Sequence, residues 1–164
     1  MNGSDVTDFY QTLEKLEIDV WVDGGWGVDA LLGVQTRPHN DLDIAIQQDI
    51  KIEHAKPWNF VLGDRKGHEI DVHAIVLDKE GNGLYGPPGK GIMYPAGSLT
   101  GTGMIAGHKV RCISLEWVVK FHTGYKPKEK DFNDVSALCK TLGIDLPEEY
   151  AQFSKQQSGP GQEP

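Results

Sequence analysis

The stretch "DLDIAI", residues 41–46, constrains the fold more than any other part of this chain. It reads as a core strand, yet it carries Asp41 and Asp43 one residue apart. Side chains at i and i+2 of a strand share a face, so both carboxylates point the same way while Leu42 and Ile44 point into the core. Burying ionised carboxylates is unfavourable unless a cation sits beside them. "HEIDVHAIVLD", 68–78, alternates in the same manner: Ile70, Val72, Ala74 and Val76 on one side, Asp71, His73 and Ile75 on the other. If these two strands are neighbours, Asp71 joins Asp41 and Asp43. Three carboxylates on adjacent strands suit Mg²⁺, a hard cation with oxygen ligands. Paired with Arg37, Lys51 or Arg65, the same aspartates are merely structural.

Upstream, "IDVWV", 18–22, reads as a strand, broken by Gly24-Gly25 and followed by "WGVDALLG", a short helix closed by Gly33. Glycines between a strand and a helix start let backbone N–H groups approach a ligand, and the helix N-terminus favours negative charge. Pro38 keeps "QTRPHN" a loop just before the Asp strand.

Elsewhere, Phe9, Tyr10, Leu13 and Leu16 predict an amphipathic helix over 5–17. "WNFVLGD", 58–64, and 68–78 predict a hairpin through "RKG". Residues 80–103, rich in glycine and proline, predict a long loop, and "MIAGHKVRCIS" predicts a second hairpin turning near Ala106-Gly107. Ser114 is the expected N-cap of a helix ending around Gly124. "EKDFNDVSALCKTLG" places Phe132, Val135, Leu138, Cys139 and Leu142 on one helix face, leaving Lys130, Asp131 and Asp134 as surface charges. Pro147 opens a short last helix, and 154–164 reads as a disordered tail.

Composition narrows the function. The 164 residues, 38% hydrophobic, suit one domain over 1–153, with a helical part from about 114. No apolar run reaches the ~18–20 residues of a membrane span, and the N-terminus lacks a signal-peptide pattern. Two cysteines, Cys112 and Cys139, match no metal or redox spacing and read as reduced thiols of a cytoplasmic protein. A formal net charge of −8 argues against a nucleic-acid partner. "HEIDVH" spaces its histidines five apart, not the four of a helical zinc site, and "GPPGKG" lacks the Ser or Thr of a P-loop.

Together, "DGGWGVDALLG", "RPHNDLDIAI" and "HEIDVHA" resemble the nucleotidyltransferase superfamily typified by the DNA polymerase β palm. Within it they look most like the lincosamide nucleotidyltransferases and the aminoglycoside 2″-adenylyltransferase-like family. The likeness extends through "SLTGTGMIAGHKVRCIS", "EWVVKFHTGY" and "KDFNDVSALC" to about Tyr150. It implies an α+β fold, a mixed sheet flanked by helices. It also implies Mg²⁺-dependent transfer of a nucleotide, AMP from ATP, to a hydroxyl of a small lincosamide or aminoglycoside antibiotic.

Carried over, Gly24 and Gly25 would cradle the triphosphate, and Asp41 and Asp43 would bind Mg²⁺. Asp71 would complete the metal site or act as general base. Arg37 and His39 resemble a basic R-x-H pair that contacts phosphates, with a salt bridge from Arg37 to Asp29 or Asp41 as the alternative. Lys120 would neutralise phosphate charge and His122 would form a cleft wall, while Trp58, Tyr85 and Tyr94 are candidates for an acceptor pocket. A homodimer is compatible with this picture. The chain departs from the family in one place: only "QQDIKIEHAK" separates Ile46 from Pro57, where a full helix is expected. That shortening leaves open a non-catalytic nucleotide-binding module, or a transferase acting on a protein.

Overall fold

The computed structural model describes residues 1–47, 58–87, 89–151 and 153. Of the shortened link at 47–57, all but Gln47 lies outside the described residues, as does the expected tail at 154–164.

Helix α1 spans Gly3–Lys15, two residues ahead of its expected start. A capping box explains the shift: the Asn2 side chain accepts from the Asp5 N–H, and the Asp5 carboxylate accepts from the Asn2 N–H. Val6 and Tyr10 are its buried anchors, whereas Leu16 is 64% exposed. Strand β1 (Val20–Val22) leads into α2 (Gly24–Leu32), which Gly33 closes in the left-handed conformation. Strands β2 (Asp41–Gln47), β3 (Asn59–Gly63) and β4 (Glu69–Leu77) follow.

The expected long loop is largely structured. Two short strands, β5 (Gly83–Tyr85) and β6 (Ile92–Tyr94), and a 3-10 turn at Ala96–Thr100 occupy it. Its glycines serve a strand as well as turns: a Cβ on Gly83 would lie 2.7 Å from Ile75 Cδ1 of β4. Strands β7 (Gly101–Ile105) and β8 (His108–Cys112) form the predicted hairpin, with positive φ at Ala106 and Gly107. Helix α3 (Leu115–Phe121) begins after Ser114, as expected, although the Ser114 hydroxyl makes no capping bond. It stops before Gly124. Helix α4 (Glu129–Leu142) ends at Gly143 in the left-handed conformation.

The strands form one mixed sheet in the order β6-β5-β4-β2-β1-β8-β7, with β3 beside β4 off that path. Strands β3 and β5 share one edge of β4, the first opposite Glu69–His73 and the second opposite Ile75–Leu77. Along the other edge, β2 pairs with β4 in parallel, in the register Asp43 to Asp71. One sheet face packs Leu42, Ile44 and Val72 with Val6 and Tyr10 of α1. The opposite face packs Trp21, Ala45 and Ile75 with Val118 and Val119 of α3 and Phe132, Val135 and Leu138 of α4. Asp41, Asp43, Asp71 and His73 lie on this second face by strand alternation, at the end that the helices leave open. Among the described residues, no helix is long and apolar enough to cross a membrane.

Helix α2 lies directly on β7, where the Ala30 carbonyl touches the Cα side of Gly103 and leaves no room for a Cβ. Gly103→Ala should therefore overpack this contact, costing ~1–3 kcal/mol and lowering Tm by about 5 °C in a domain of this size. Thermal unfolding followed by circular dichroism measures this. An unchanged Tm would show that α2 shifts freely on the sheet.

Candidate active site

The site is assembled where β1 ends. The Asp23 N–H donates to the Asp43 carbonyl at 2.9 Å, which binds the end of β1 to β2. Asp23 is also the N-cap of α2, its carboxylate accepting from the Gly24 N–H at 2.8 Å. Gly24 has φ +55°, and a Cβ there would collide with the Asp43 carboxylate. At Gly25, a Cβ would sit 2.5 Å from His39 Nδ1 and 2.7 Å from Arg37 Nη2. The two glycines thus make room for the chain's own Asp43, Arg37 and His39 against the first turn of α2.

Asp43 and Asp71 are register partners, as are Asp41 and Glu69. The three aspartates singled out in the sequence therefore share one face, and Asp23 adds a fourth carboxylate. Burial, followed by the charges of Asp41, Asp23 and Asp71, pushes the Asp43 carboxyl up to about 6; His73 only partly offsets this. Burial also pushes Asp23 up, against the opposing effects of the Gly24 N–H, His73, His122 and Tyr94. This all-oxygen donor set, with more negative charge than its neighbours neutralise, fits a hard divalent cation. Among the described residues no three acidic, His or Cys side chains are drawn together closely enough to enclose an ion. Mg²⁺ does not require such a cage, because it binds through one or two carboxylates and keeps waters or substrate phosphates as its other ligands.

Asp71 accepts a hydrogen bond from Asn59 Nδ2 at 2.9 Å. Beside it, His73 Nδ1 lies 2.9 Å from the Tyr94 hydroxyl, which donates to Asp23 Oδ2 at 3.4 Å. The Tyr85 ring lies against His73, centroids 4.8 Å apart, and Tyr94 meets Phe121 of α3 edge-on at 5.5 Å. Tyr85 and Tyr94 thus stand at the carboxylate face.

The R-x-H pair has a different place from the expected one. Arg37 forks onto Asp134 of α4, with Nη2 to Oδ2 at 2.9 Å, and its Nη1 lies 2.9 Å from His39 Nδ1. His39 Nε2 lies 2.6 Å from Asp29 Oδ2. A guanidinium only donates, so His39 Nδ1 accepts and Nε2–H donates to Asp29. Buried His39 has no ring nitrogen left for a phosphate, which corrects that expectation. The salt bridge of Arg37 goes to Asp134, not to Asp29 or Asp41, and 29% of its side chain stays exposed.

Asp134 and Asp131 are likewise buried instead of lying on the surface; Asp131 accepts from the Lys128 N–H at the start of α4. Lys120 pairs with Glu116 at 2.7 Å and lies over the Trp117 ring, so its ammonium is engaged along α3 itself. His122 donates from Nδ1 to the Val118 carbonyl at 2.8 Å, and its charge bears on Asp23, which puts it near the site.

Sequence reasoning missed Asp23. The signal was present: an Asp between a strand and Gly-Gly is a natural N-cap, and whatever caps α2 must lie beside Asp43. Asn59 and the partnership of His73 with Tyr94 carried no local signal, because they depend on which strands pair.

Burial pushes the Asp29 carboxyl up, but the bonds from His39 and from the hydroxyl and N–H of Thr36 outweigh it and hold the group below its ordinary value. A carboxyl depressed in this way stabilises the fold above the ordinary carboxylate range, and the contribution is lost as pH falls through that range. Asp29→Asn should therefore destabilise the protein more at about pH 7 than at about pH 3. Urea midpoints of both proteins at the two pH values test this; equal losses would show that the charge on Asp29 contributes nothing.

Comparison with known proteins identifies the family. The family described as aminoglycoside-2″-adenylyltransferase matches residues 5–138, a span that holds all four carboxylates. A lincosamide resistance protein of Staphylococcus haemolyticus is 33% identical over 157 residues, covering 84% of this chain and 98% of that one. A 2″-aminoglycoside nucleotidyltransferase of Klebsiella pneumoniae is 30% identical over 163 residues, covering 88% and 92%. Among solved structures, a lincosamide antibiotic adenylyltransferase bound to lincomycin aligns with a TM-score of 0.69 at 27% identity, over 82% of this chain and 94% of that one. The chain belongs to the aminoglycoside-2″-adenylyltransferase family and is a nucleotidyltransferase.

Proposed function

We propose that this enzyme transfers AMP from ATP to a hydroxyl of a lincosamide or aminoglycoside antibiotic, with Mg²⁺ as cofactor. The observation that carries the reading is the shared face of Asp41, Asp43 and Asp71 beside the glycine turn that opens α2. Asp41 and Asp43 would hold Mg²⁺, with Asp71 completing the ligand set or serving as base. Once bound, the ion supplies charge neutralisation at the phosphates and orients them. The first turn of α2, at Gly24 and Gly25, would cradle the triphosphate with its positive dipole end and the N–H groups that follow Gly24, whose own N–H is held by Asp23. Arg37, 29% exposed and beside Gly25, would face the same triphosphate.

The acceptor hydroxyl oxygen attacks the α-phosphorus from the side of Asp71. A new O–P bond forms there, the bond from the α-phosphorus to the bridging oxygen of the β-phosphate breaks, and pyrophosphate leaves with that electron pair. Asp71 takes the hydroxyl proton.

The wider setting follows the same reading. A small-molecule acceptor, and not a nucleic acid, is supported by the net charge of −8 and by the acidic face itself. The helical stretch 114–153 belongs to the same unit as the sheet, supported by the core that Val118 and Val135 share with Trp21 and Ile75. A homodimer is supported by the exposed Leu84, Ile92 and Met93 on β5 and β6 at the sheet edge. Two free, buried cysteines support a reducing, cytoplasmic setting.

Pyrophosphate release from ATP and Mg²⁺, screened with lincosamides and aminoglycosides, tests the function. Release should require an acceptor and fall at least about a hundredfold in Asp43→Asn. ATP binding without release across the panel would favour a non-catalytic nucleotide-binding module. Removing the charge also relieves repulsion, so without Mg²⁺ Asp43→Asn should raise Tm by about 2–4 °C. A lower Tm would mean that the carboxylates do not strain the fold.

A further inference from the structure

Away from the carboxylate face, the fold leaves a buried donor unpaired. Trp26 of α2 is 2% exposed, and among the described residues its indole N–H has no hydrogen-bond partner. Buried polar groups are paired as a rule, and an orphan asks for a partner that the chain does not supply. Trp26 also lines a cavity of about 490 Å³, bounded by the start of α1, the end of α2 and the turn between β7 and β8. None of Asp23, Asp41, Asp43 and Asp71 belongs to that lining. Trp26, Asp29 and Gly33 do, at i, i+3 and i+7 along one face of α2. The first turn of α1 rests on the β7–β8 turn there: a Cβ on Gly3 would lie 3.2 Å from Ala106 Cβ, so backbone packing sets the rim.

Size and lining define what such a cavity takes. Small-molecule sites run to roughly 300–1,000 Å³ and are mostly apolar with a few placed polar groups, whereas one water occupies only ~30 Å³. Val34, Met104 and Ile105 supply apolar surface beside the Trp26 ring. An indole N–H only donates, so its partner is an acceptor. Asp29 is the charged side chain among the described lining residues, and both its oxygens are engaged. Its Oδ1 accepts from the N–H and hydroxyl of Thr36, and its Oδ2 lies 2.6 Å from His39 Nε2. This carboxylate disfavours an anionic ligand, and a cationic donor would leave the indole N–H unpaired. We propose that the cavity is a second binding site, separate from the carboxylate face, for a small neutral molecule with an apolar body and a carbonyl oxygen that accepts from Trp26 Nε1–H.

Probes of similar size separate these chemistries: acetophenone carries the neutral carbonyl, ethylbenzene lacks an acceptor, and benzoate is an anion. The indole N–H signals of the four tryptophans report binding in proton–nitrogen NMR. Trp26 is identified by the signal lost in Trp26→Phe or, if that variant does not fold, by elimination through Trp21→Phe, Trp58→Phe and Trp117→Phe. Acetophenone should shift the Trp26 signal downfield and saturably, leaving the other three in place. It should bind about fivefold more tightly than ethylbenzene, the gain of one hydrogen bond, and more tightly than benzoate. Val34→Phe, at a lining position 61% exposed, should narrow the mouth and weaken acetophenone binding several-fold while the protein stays folded.

A Trp26 signal unmoved by acetophenone up to its solubility limit would mean that water alone fills the cavity, and would overturn the site. Equal affinity for the three probes, or shifts spread over every indole, would also overturn it, as non-specific apolar contact. ATP with Mg²⁺ should leave the affinity for acetophenone unchanged; competition between them would put the probe at the catalytic face and defeat a separate site. These readouts need no turnover, so they decide the cavity whether or not the enzyme releases pyrophosphate with any acceptor tried.

Discussion

The contact between the Asp43 carboxylate and Gly24 is the constraint on which the rest of this site depends. Asp43 stands on a half-buried strand among Asp23, Asp41 and Asp71, and only a residue without a Cβ lets it lie against the first turn of α2. The same contact fixes where α2 begins, because Asp23 must both cap the helix and bond its N–H to the Asp43 carbonyl. Helix start, strand end and carboxylate cluster are therefore one arrangement. The fold holds these like charges together through apolar packing on both faces of the sheet, and the helix end opposite them is a compensating dipole.

A second network keeps the arrangement from opening. Asp134, Arg37, His39 and Asp29 form a chain from α4, through the loop before β2, into α2. Residues that the sequence suggests as phosphate contacts thereby act as a brace around the second glycine. Breaking one member of such a buried chain leaves its partner charged and unpaired, which is far more damaging than losing a surface ion pair. This explains why Asp29 and Asp134 are buried outside the carboxylate face, whereas the buried Asp131 caps the start of α4.

Much of this was legible in the sequence where chemistry is local. Alternation alone put Asp41, Asp43 and Asp71 on one face once β2 and β4 were paired, and Gly33 and Gly143 marked helix ends correctly. What could not be read depended on partners distant in the chain. Arg37 meets Asp134 across 97 positions, and no spacing rule distinguishes that acid from a solvated one. Residues 80–103 looked like a loop because glycine and proline are abundant there, yet close approach to Ile75 is what demands Gly83 in a strand. Composition gives a residue's freedom; only packing shows whether that freedom serves a turn or a tight fit.

The shared edge of β4 separates two tasks along a single strand. Strand β3 supports the half that carries Asp71 and His73, whereas β5 and β6 build outward from the half beyond it. Tyr85 and Tyr94 reach the carboxylate face from that outer piece, Tyr85 through its ring against His73 and Tyr94 through its hydroxyl beside His73 and Asp23. The architecture is modular at the scale of a few residues. The β5–β6 hairpin brings the aromatic side of this face and the β2–β4 pair its charge, so wall and charge are built by separate pieces of one sheet.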